Sequence, residues 1–297
     1  MNSSLRYALF LGCTIPARSR NYELSARKVA SRLGVDFVDV EGFICCGFPV
    51  KSADKKSGLI LGAYNLALAQ KKGLDLCALC SSCTSALTEV AHHLSGDEAL
   101  RREVNESLAK AGLSYEGGVK VRHFARVLYE EVGKDRIKSA LSRELKGLRI
   151  ATHYGCHYLK PSEIYDSFDQ VEDPHTLDEL FALTGAEVVE YGSKKRCCGG
   201  PVLAVDEKTA LSVAKAKLDD IQASGANAIG LVCPFCSVMY DSNQKGIESQ
   251  FGTSYNLPVF YLPQVMGMAM GMDKKEIGLN MNVVKTADLM RSLNLET

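Results

Sequence analysis

The stretch ICCGFPV at residues 44–50 returns as RCCGGPV at residues 196–202, and the other cysteines are arranged around these two motifs. A single cysteine precedes each motif, and a Cys-x-x-Cys pair follows it. The intervening lengths are 31 and 33 residues in the first set and 40 and 34 in the second. This repeated order indicates an internal duplication. The two sets are Cys13, Cys45, Cys46, Cys80 and Cys83, and then Cys156, Cys197, Cys198, Cys233 and Cys236.

Five thiols that converge in space need protons, disulfides or metal ions to neutralise them. Five thiolates about 4 Å apart would repel by roughly 4 kcal/mol per pair at an effective dielectric near 20, or about 40 kcal/mol over ten pairs. Several metal charges offset that repulsion. Sulfur-only ligation selects zinc or iron-sulfur, but structural zinc takes four ligands. Five cysteines per set therefore favour an iron-sulfur cluster with more than the usual four thiolates.

Other uses of the cysteines stay open. A disulfide framework would absorb ten thiols, but the sequence shows no secretory leader, and a reducing cytoplasm argues against one. Ordinary buried cysteines are common, yet they would not recur as Cys-Cys-Gly. Zinc in one of the two sets is an alternative, because four of its five thiolates would satisfy tetrahedral geometry.

Charge and hydropathy narrow the class of protein. The 297 residues include 35 basic and 35 acidic side chains, so no net charge draws the chain to nucleic acid or to an anionic membrane. The longest apolar run, GLILGAYNLALA at 58–69, is shorter than the roughly 20 residues that span a bilayer. Neither GxGxxG nor GxxxxGKS/T is present to indicate a nucleotide site. We expect a cytoplasmic protein without a membrane span.

Strand and helix patterns alternate through both halves of the chain. The first half predicts strands at 7–11, 35–40, 74–79 and 119–123, and helices at 23–33, 56–72, 82–94 and 125–132. The second half predicts strands at 148–153, 186–191 and 228–232 and a helix at 206–224, and VFYLPQV at 259–265 aligns with VRHFARV at 121–127. The alternation predicts an α/β fold of two similar domains, each with a mostly parallel sheet flanked by helices. Its cysteines should lie on loops beyond the strand ends.

We divide the chain into a first domain at 1–145 and a second at 146–297, each with one cluster. The boundary falls within the lysine- and arginine-rich stretch 133–147, which lacks a compact apolar pattern and is interpreted as a linker. A polar excursion at 97–112 interrupts the first domain. The extra length of the second set lies around 161–175.

Cys77 belongs to neither set. Pairing Cys77 with Cys80 would leave 30 residues after Cys46, whereas Cys80 leaves 33, close to the 34 of the second set. We therefore expect Cys77 to be a buried free thiol on a strand.

Several other residues near the cysteines have two interpretations. His92, His93, His153 and His157 are expected to pack or hydrogen bond rather than ligate, because sulfur is already in excess. The run Lys194, Lys195 and Arg196 favours a solvated face. Its alternative is to offset cluster charge or to bind an anionic group of a substrate. The Met-rich VMGMAMGM at 265–272 predicts an adaptable core or interface helix.

Six stretches carry a resemblance to a known family: FLGCTIPARS, EGFICCGFPVKS, LCSSCTSAL, THYGCHYLK, KKRCCGGPV and LVCPFCSVMYD. Over about residues 5–275 they resemble the doubled cysteine-rich CCG domain. Its best-described member is the catalytic B subunit of heterodisulfide reductase in methanogenic archaea. YALFLGC, VKVRHFARVLYEEVG and LPVFYLPQVMGMAMGMDKKEIGLN are closer to that methanogen type.

The resemblance implies that each five-cysteine set holds a non-cubane 4Fe-4S cluster, with no flavin or nicotinamide on this chain. It implies reduction of the mixed disulfide of coenzyme M and coenzyme B to two thiols in methanogenesis, with the disulfide between the clusters. It implies no catalytic residue separate from the cluster ligands. The implied partners are a ferredoxin-like C subunit and a flavin-containing A subunit, with a hydrogenase or formate dehydrogenase upstream.

Two other functions stay open. One is the iron-sulfur subunit of another CCG-family oxidoreductase, in heterodisulfide-reductase-like sulfur metabolism or in lactate, glycolate or succinate oxidation. The other is a non-enzymatic electron-transfer or zinc-binding scaffold. Complete sets of five in both halves favour a two-cluster catalyst over a scaffold.

Overall fold

The computed structural model describes residues 5–295, and within that range the strands form two four-stranded sheets. The first contains β1 (Leu5–Phe10), β2 (Val35–Val38), β3 (Asp75–Ala78) and β4 (Val121–His123). The second contains β5 (Arg149–His153), β6 (Glu187–Val188), β7 (Ala228–Leu231) and β8 (Val259–Tyr261). All of these pairings are parallel, in the orders β2-β1-β3-β4 and β6-β5-β7-β8. The predicted α/β fold of two similar parallel sheets is confirmed.

The two sheets share even their cross-strand ion pairs. Arg6 on β1 lies opposite Asp36 on β2, and their side chains form an ion pair at 3.1 Å. Arg149 on β5 lies opposite Glu187 on β6, with an ion pair at 3.3 Å. Equivalent side chains in equivalent register are what a duplicated sequence produces.

Helices cover the sheets in both domains. Those of the first half are α1 (Thr14–Arg18), α2 (Arg20–Arg32), α3 (Lys55–Lys71), α4 (Ser81–Gly96), α5 (Glu98–Leu108), α6 (Phe124–Arg126) and α7 (Lys134–Ala140). Those of the second half are α8 (Thr176–Ala182), α9 (Glu207–Ala223), α10 (Pro234–Ser237), α11 (Gln244–Phe251), α12 (Leu262–Ala269) and α13 (Ala287–Ser292). Two π-helical segments, Val127–Val132 and Val238–Ser242, continue α6 and α10. No helix between residues 5 and 295 is long and apolar enough to cross a bilayer.

Three elements differ from the sequence prediction. The stretch 133–147 is not a structureless linker, because it contains α7, whose Ile137 is fully buried. The strand predicted at 186–191 is reduced to the two residues of β6. The helix predicted at 125–132 is mostly π-helical. The domain boundary at 145 and 146 stays a prediction.

The two domains join through α2 and α12, and this joint reaches the cysteine loops. The rings of Tyr22 and Tyr261 stack with centroids 4.0 Å apart. The Tyr22 hydroxyl donates to the Val232 carbonyl at 3.1 Å, and the His123 Nε2 lies 3.0 Å from the same oxygen. Because Val232 directly precedes Cys233, the first domain holds a cysteine loop of the second. Met266 and Met268 on α12 are buried, as predicted for a core or interface helix.

Candidate metal centre

The single cysteine and the Cys-x-x-Cys pair of each set follow the two central strands of a sheet, and the Cys-Cys-Gly motif follows an edge strand. Cys13 comes after β1 and Cys80 after β3, while Cys156 comes after β5 and Cys233 after β7. The chain leaves β1 toward one side of its sheet and leaves β3 toward the other, and β5 and β7 repeat this arrangement. A crevice opens at the carboxyl ends of strands where the order reverses in this way. The predicted placement of the cysteines beyond strand ends is therefore what the structure shows.

Each Cys-Cys-Gly turn lies against the helix that follows it. Gly47 has φ +85°, and a Cβ there would lie 2.6 Å from the carbonyl oxygen of Gly58 on α3. Gly199 also has φ +85°, and its Cβ would lie 2.6 Å from the carbonyl oxygen of Ala210 on α9. Glycine is therefore required at both turns by backbone shape and by close approach. The two motifs present their thiols in the same way.

The thiols of both sets contact one another in a continuous series. In order, the series runs Cys45, Cys46, Cys83, Cys80, Cys233, Cys236, Cys198, Cys197 and Cys156. Cys13 lies outside the series and acts electrostatically on Cys45. The contact between Cys80 and Cys233 joins the first set to the second. The structure thus brings nine of the ten predicted cysteines into one series that runs from the first set to the second, with Cys13 near its Cys45 end.

Neighbouring thiols in this series cannot all ionise together. Contact with Cys45 lowers the pKa of Cys46 to about 3, and the same contact raises the pKa of Cys45 well above that of a free thiol. In the second set, contact with Cys156 lowers the pKa of Cys197 to about 2 and raises the pKa of Cys156. Added positive charge is needed before all members can be thiolates. This donor set fits a metal centre with several cations, such as an iron-sulfur cluster.

One ring contact between the two domains lies beside the cysteine sets. The ring of Phe48, which follows the first Cys-Cys-Gly, packs edge-on against His157 with centroids 4.7 Å apart. His157 directly follows Cys156. The two cysteine regions therefore touch beyond their thiols.

The second set has a histidine within reach of its sulfurs. A ring nitrogen of His153, Cys198 Sγ and Cys236 Sγ all lie within 4.8 Å of one another. His153 is buried, and its Nε2 has no hydrogen-bond partner among the described residues. Burial and the nearby Lys217 ammonium hold the pKa of His153 well below its usual value, so the ring is neutral. We predicted a packing or hydrogen-bonding role, and the Nδ1 of His153 lies 3.0 Å from the Lys217 Nζ.

Lys217, on α9, is a buried cation beside this set, with a side chain only 1% exposed. Its Nζ donates to the carbonyl oxygens of Arg196 at 2.7 Å and Lys194 at 3.2 Å. Burial lowers the pKa of Lys217 to about 8, and the sulfurs of the second set, with Cys236 first, act in the opposite direction. The ammonium form therefore predominates at neutral pH.

In the first domain an asparagine holds the equivalent loop. Asn65 on α3 accepts from the Ile44 amide at 2.9 Å and donates to the Cys45 carbonyl at 3.2 Å and the Leu61 carbonyl at 2.9 Å. Asn65 is fully buried. Both domains thus fasten the residues around Cys-Cys-Gly from the following helix, one with an amide and the other with a cation.

The predicted basic run divides into three different environments. Lys194 is buried and forms ion pairs with Asp178 at 2.7 Å and Glu190 at 2.8 Å, so its charge is already neutralised. Lys195 is partly exposed and contacts Glu172 through both its carboxylate and its carbonyl oxygen. Arg196 is exposed and has no ion pair with a described residue. Of the three, only Arg196 has a charge beside the set that no carboxylate of residues 5–295 neutralises.

The remaining predicted residues lie apart from the thiol series. Cys77 is fully buried on β3, as predicted, and burial raises its pKa well above the usual thiol value. His92 and His93 are exposed on α4. Within the described part of the chain, none of these three joins the series of thiol contacts.

Sequence reasoning missed Asn65 and Lys217. A lone polar residue inside a helical pattern indicates a solvated face. The signal that reveals them is the duplication itself, because counting from Cys45 and from Cys197 places Asn65 and Lys217 at the same position.

Comparison with protein families finds the same duplication. The cysteine-rich CCG domain family matches the chain twice, at residues 7–88 and 150–241. The two matches cover more than half of the chain and include all ten cysteines of the two sets.

Curated relatives extend over nearly the full length. The B subunit of the ferredoxin/F(420)H(2)-dependent CoB-CoM heterodisulfide reductase of Methanosarcina acetivorans is 33% identical over 97% of each chain. A protein of Archaeoglobus profundus that is named as similar to the heterodisulfide reductase B subunit is 34% identical over 92% of this chain and 93% of its own. The 8-methylmenaquinol:fumarate reductase membrane anchor subunit of Wolinella succinogenes is 30% identical over 95% and 98%.

One solved structure has the same fold. A hypothetical protein from Helicobacter pylori superposes with a TM-score of 0.77 at 19% identity, over 96% of this chain and 53% of that chain. At this identity the likeness concerns the fold alone.

Proposed function

The chain belongs to the cysteine-rich CCG domain family, and we propose that it is the catalytic subunit of a heterodisulfide reductase. Its proposed substrate is the mixed disulfide of coenzyme M and coenzyme B, which it reduces to two thiols in methanogenesis. The observation that carries this proposal is the meeting of the two five-cysteine sets, where Cys80 neighbours Cys233 and the ring of Phe48 packs against His157 with centroids 4.7 Å apart. A single small disulfide bound there would contact both sets at once.

The stoichiometry explains why two sets are needed. One disulfide takes up two electrons and two protons, breaks its S–S bond and yields two thiols. Bound iron-sulfur clusters, proposed as two non-cubane 4Fe-4S centres, would supply one electron each. The chain's own contribution is to hold the two centres next to each other and to shield the thiols from water, since six of the ten cysteines are buried.

The substrate also needs groups that bind its charged ends. Among the basic residues that precede the second Cys-Cys-Gly, Arg196 is our proposed anion contact, because it is exposed, adjacent to Cys197 and without an ion pair among described residues. A guanidinium binds sulfonate, phosphate or carboxylate through paired N–H donors. Lys194 is a poor choice, since Asp178 and Glu190 already neutralise it.

Electrons must reach the proposed centres from other proteins. We propose a ferredoxin-like C subunit and a flavin-containing A subunit as partners in the cytoplasm, with a hydrogenase or formate dehydrogenase upstream. The relatives named as B subunits of a multi-subunit reductase support the existence of partner subunits. In this proposal the chain itself binds neither flavin nor nicotinamide.

The test combines metal analysis with turnover. The protein, purified anaerobically with its partner subunits, should contain about eight irons on this chain and reduce the coenzyme disulfide with a one-electron donor. About one zinc and four irons would instead support the zinc alternative for one set. A fully iron-loaded complex that leaves the disulfide intact would overturn the proposed substrate.

A second candidate is an electron-transferring subunit of a quinol-linked reductase. The likeness to the Wolinella succinogenes subunit over 95% of this chain favours it. The two candidates differ in their oxidant. Reoxidation of the reduced complex by the coenzyme disulfide supports the first, whereas reoxidation only by a partner flavoprotein with fumarate supports the second.

A further inference from the structure

The two cysteine sets are equivalent in sequence but unequal in charge. Phe10 ends β1 where His153 ends β5, since each lies three residues before the first cysteine of its set. Asn65 on α3 occupies the position of Lys217 on α9. The first domain thus has an apolar ring and a neutral amide where the second has an imidazole and an ammonium.

Hydrogen bonding alone does not require this cation. Asn65 fastens the first loop through the Ile44 amide and the Cys45 carbonyl. Lys217 fastens the second loop through the carbonyl of Arg196, which is the equivalent of Ile44. A neutral amide is therefore sufficient to hold the equivalent loop of the first domain in place. The positive charge in the second domain is an addition whose effect must be electrostatic.

That charge is directed at the second set. Lys217 is buried and forms no direct ion pair with a carboxylate of residues 5–295. The sulfurs of Cys236, Cys198 and Cys197 act most strongly on its charge, and the Asp220 carboxylate acts in the same direction but less strongly. His153 extends its influence, because Nδ1 accepts from the ammonium, a ring nitrogen lies within 4.8 Å of the Cys198 and Cys236 sulfurs, and Nε2 has no other partner among the described residues. A neutral imidazole that accepts at Nδ1 carries its proton on Nε2, where it can donate to sulfur.

We propose that Lys217 and His153 set the reduction potential of the metal centre held by the second cysteine set above that of the first. This inference rests on the proposed function only in assuming an iron-sulfur centre in each set. A cluster becomes more negative by one charge when it accepts an electron. A buried cation and an N–H donor beside it stabilise that state, and low local dielectric strengthens the effect. At the equivalent positions of the first domain, Phe10 has neither a charge nor a donor, and Asn65 is uncharged and donates to backbone carbonyls.

Unequal potentials impose an order on the two electrons. With a metal centre bound in each set, the first electron from an external one-electron donor, such as a reduced ferredoxin-type subunit, would reside at the second set. The next would reside at the first set, which would be the more strongly reducing of the two. One electron from each set and two protons would then convert one substrate disulfide into two thiols. Lys217 is a positioning and charge-tuning residue in this scheme and touches no substrate.

The first experiment uses the wild-type complex and needs no change at Lys217. An anaerobic redox titration at fixed pH, followed by electron paramagnetic resonance, should resolve two midpoint potentials. Cys197→Ser should remove the higher one, and Cys45→Ser should remove the lower one. Equal potentials, or the reverse assignment, would overturn the inference.

The second experiment isolates the charge. Lys217→Gln keeps an N–H donor for the Arg196 carbonyl and removes the positive charge, so the higher potential should shift downward with iron content unchanged. Lys217→Arg should restore it. Lys215 is the matched control, because it lies on the same helix and pairs with Asp219 at 2.6 Å. Lys215→Gln should leave both potentials unchanged.

These outcomes separate the inference from the proposed function. A Lys217→Gln protein with full iron and an unshifted second potential sinks the charge-tuning role, and heterodisulfide turnover is measured independently of it. A downward shift equal at both centres would mean a general change of the fold and would also overturn it. Absence of iron from wild-type protein contradicts the proposed function instead. Should Lys217→Gln fail to assemble its centre, the wild-type assignment still decides the order of potentials.

Discussion

Cys77 and Cys80 lie three residues apart, yet the fold gives them opposite surroundings. Cys77 is fully buried on β3, whereas Cys80 precedes α4 and contacts Cys83 and Cys233. We expect Cys77→Ala to keep iron content and turnover, at a cost of about 1 kcal/mol in the free energy of unfolding for the lost sulfur. Cys80→Ala should remove the centre of the first set. Metal analysis and denaturant unfolding measure both effects.

A serine substitution at Cys77 provides the control. Cys77→Ser places a hydroxyl in a fully buried site, so it should lower the free energy of unfolding by about 1–3 kcal/mol without loss of iron. Iron missing from either Cys77 variant would mean that Cys77 and Cys80 form the ligand pair, contrary to the spacing argument.

Gly199 provides a second prediction, at the Cys-Cys-Gly turn. In Gly199→Ala the new Cβ would lie 2.6 Å from the Ala210 carbonyl oxygen at a positive φ, so the turn must move. We expect loss of the second centre and a drop of about 2 kcal/mol or more in the free energy of unfolding. Gly252 has φ +65° and open space around it, so Gly252→Ala should cost about 1 kcal/mol and keep both centres. Full iron in Gly199→Ala would refute the steric argument.

The sequence was informative about cysteines and poor about their neighbours. Repeated spacing was enough to predict the ten ligand thiols and to leave out Cys77, because ligands on loops keep their order in the chain. The proximity of Cys80 to Cys233 could not be predicted. These cysteines are 153 residues apart in the sequence, and only the packing of one domain on the other brings them together. The sequence favours a solvated face or an anion site for Lys194. The structure instead pairs Lys194 with Asp178, which lies on α8, and such a contact between distant elements leaves no local pattern in the sequence.

The helices α3 and α9 each hold one Cys-Cys-Gly turn in place. In Asn65→Ala the first turn loses the hydrogen bonds from the Ile44 amide and to the Cys45 carbonyl, and α3 loses the hydrogen bond to its own Leu61 carbonyl. We expect a loss of about 3 kcal/mol in the free energy of unfolding, at about 1 kcal/mol per bond, together with loss of iron from the first set alone. Iron content and the signal of the second centre measure this.

Asp54 provides the control on the same helix. Its carboxylate accepts from the Ser57 amide at 3.2 Å and caps the start of α3. Asp54→Ala should weaken the helix without affecting the turn, so both centres should be retained. Equal iron loss in the two variants would show that helix stability, rather than the Asn65 contacts, supports the first set.

Apolar patterns predicted the type of most helices and strands correctly, but they predicted the ends of these elements less well. Buried parallel strands such as β7, with four consecutive buried residues, are apolar on both faces and easily recognised. β6 is short because only Glu187 and Val188 pair with β5, and pairing is a property of two strands rather than one. In α7, a single buried side chain, Ile137, anchors a helix whose other residues are mostly charged. Such a helix lacks the apolar stripe that a sequence pattern detects.

At the level of the two domains, the joint between α2 and α12 makes the sets one structural unit. Tyr22 stacks on Tyr261 and also donates to the Val232 carbonyl beside Cys233. The Tyr261 hydroxyl in turn donates to Ser19 of the first domain at 3.0 Å. Each domain therefore holds part of the other near the cysteines. A disulfide bound at Cys80 and Cys233 would have its two sulfurs positioned by both domains.

This joint leads to a prediction about cooperation. If each set delivers one electron to the same disulfide, neither set can complete the reduction alone. Cys45→Ser and Cys197→Ser should each abolish turnover of the coenzyme disulfide with a one-electron donor, although the untouched centre keeps its spectroscopic signal. The double variant should be no less active than either single variant, because residues that act as a unit cannot be lost twice.

The matched control for this experiment is Cys77→Ala, which removes a thiol from the same sheet but from neither set. It should turn over the disulfide at the wild-type rate. Suppose instead that Cys45→Ser retained most of its turnover with the second centre intact. The contact between Cys80 and Cys233 would then serve electron relay or structure, because one centre would be transferring both electrons by successive reduction from the donor. Losses that multiply in the double variant would point the same way, since independent sites contribute separately to a rate whereas two halves of one site do not.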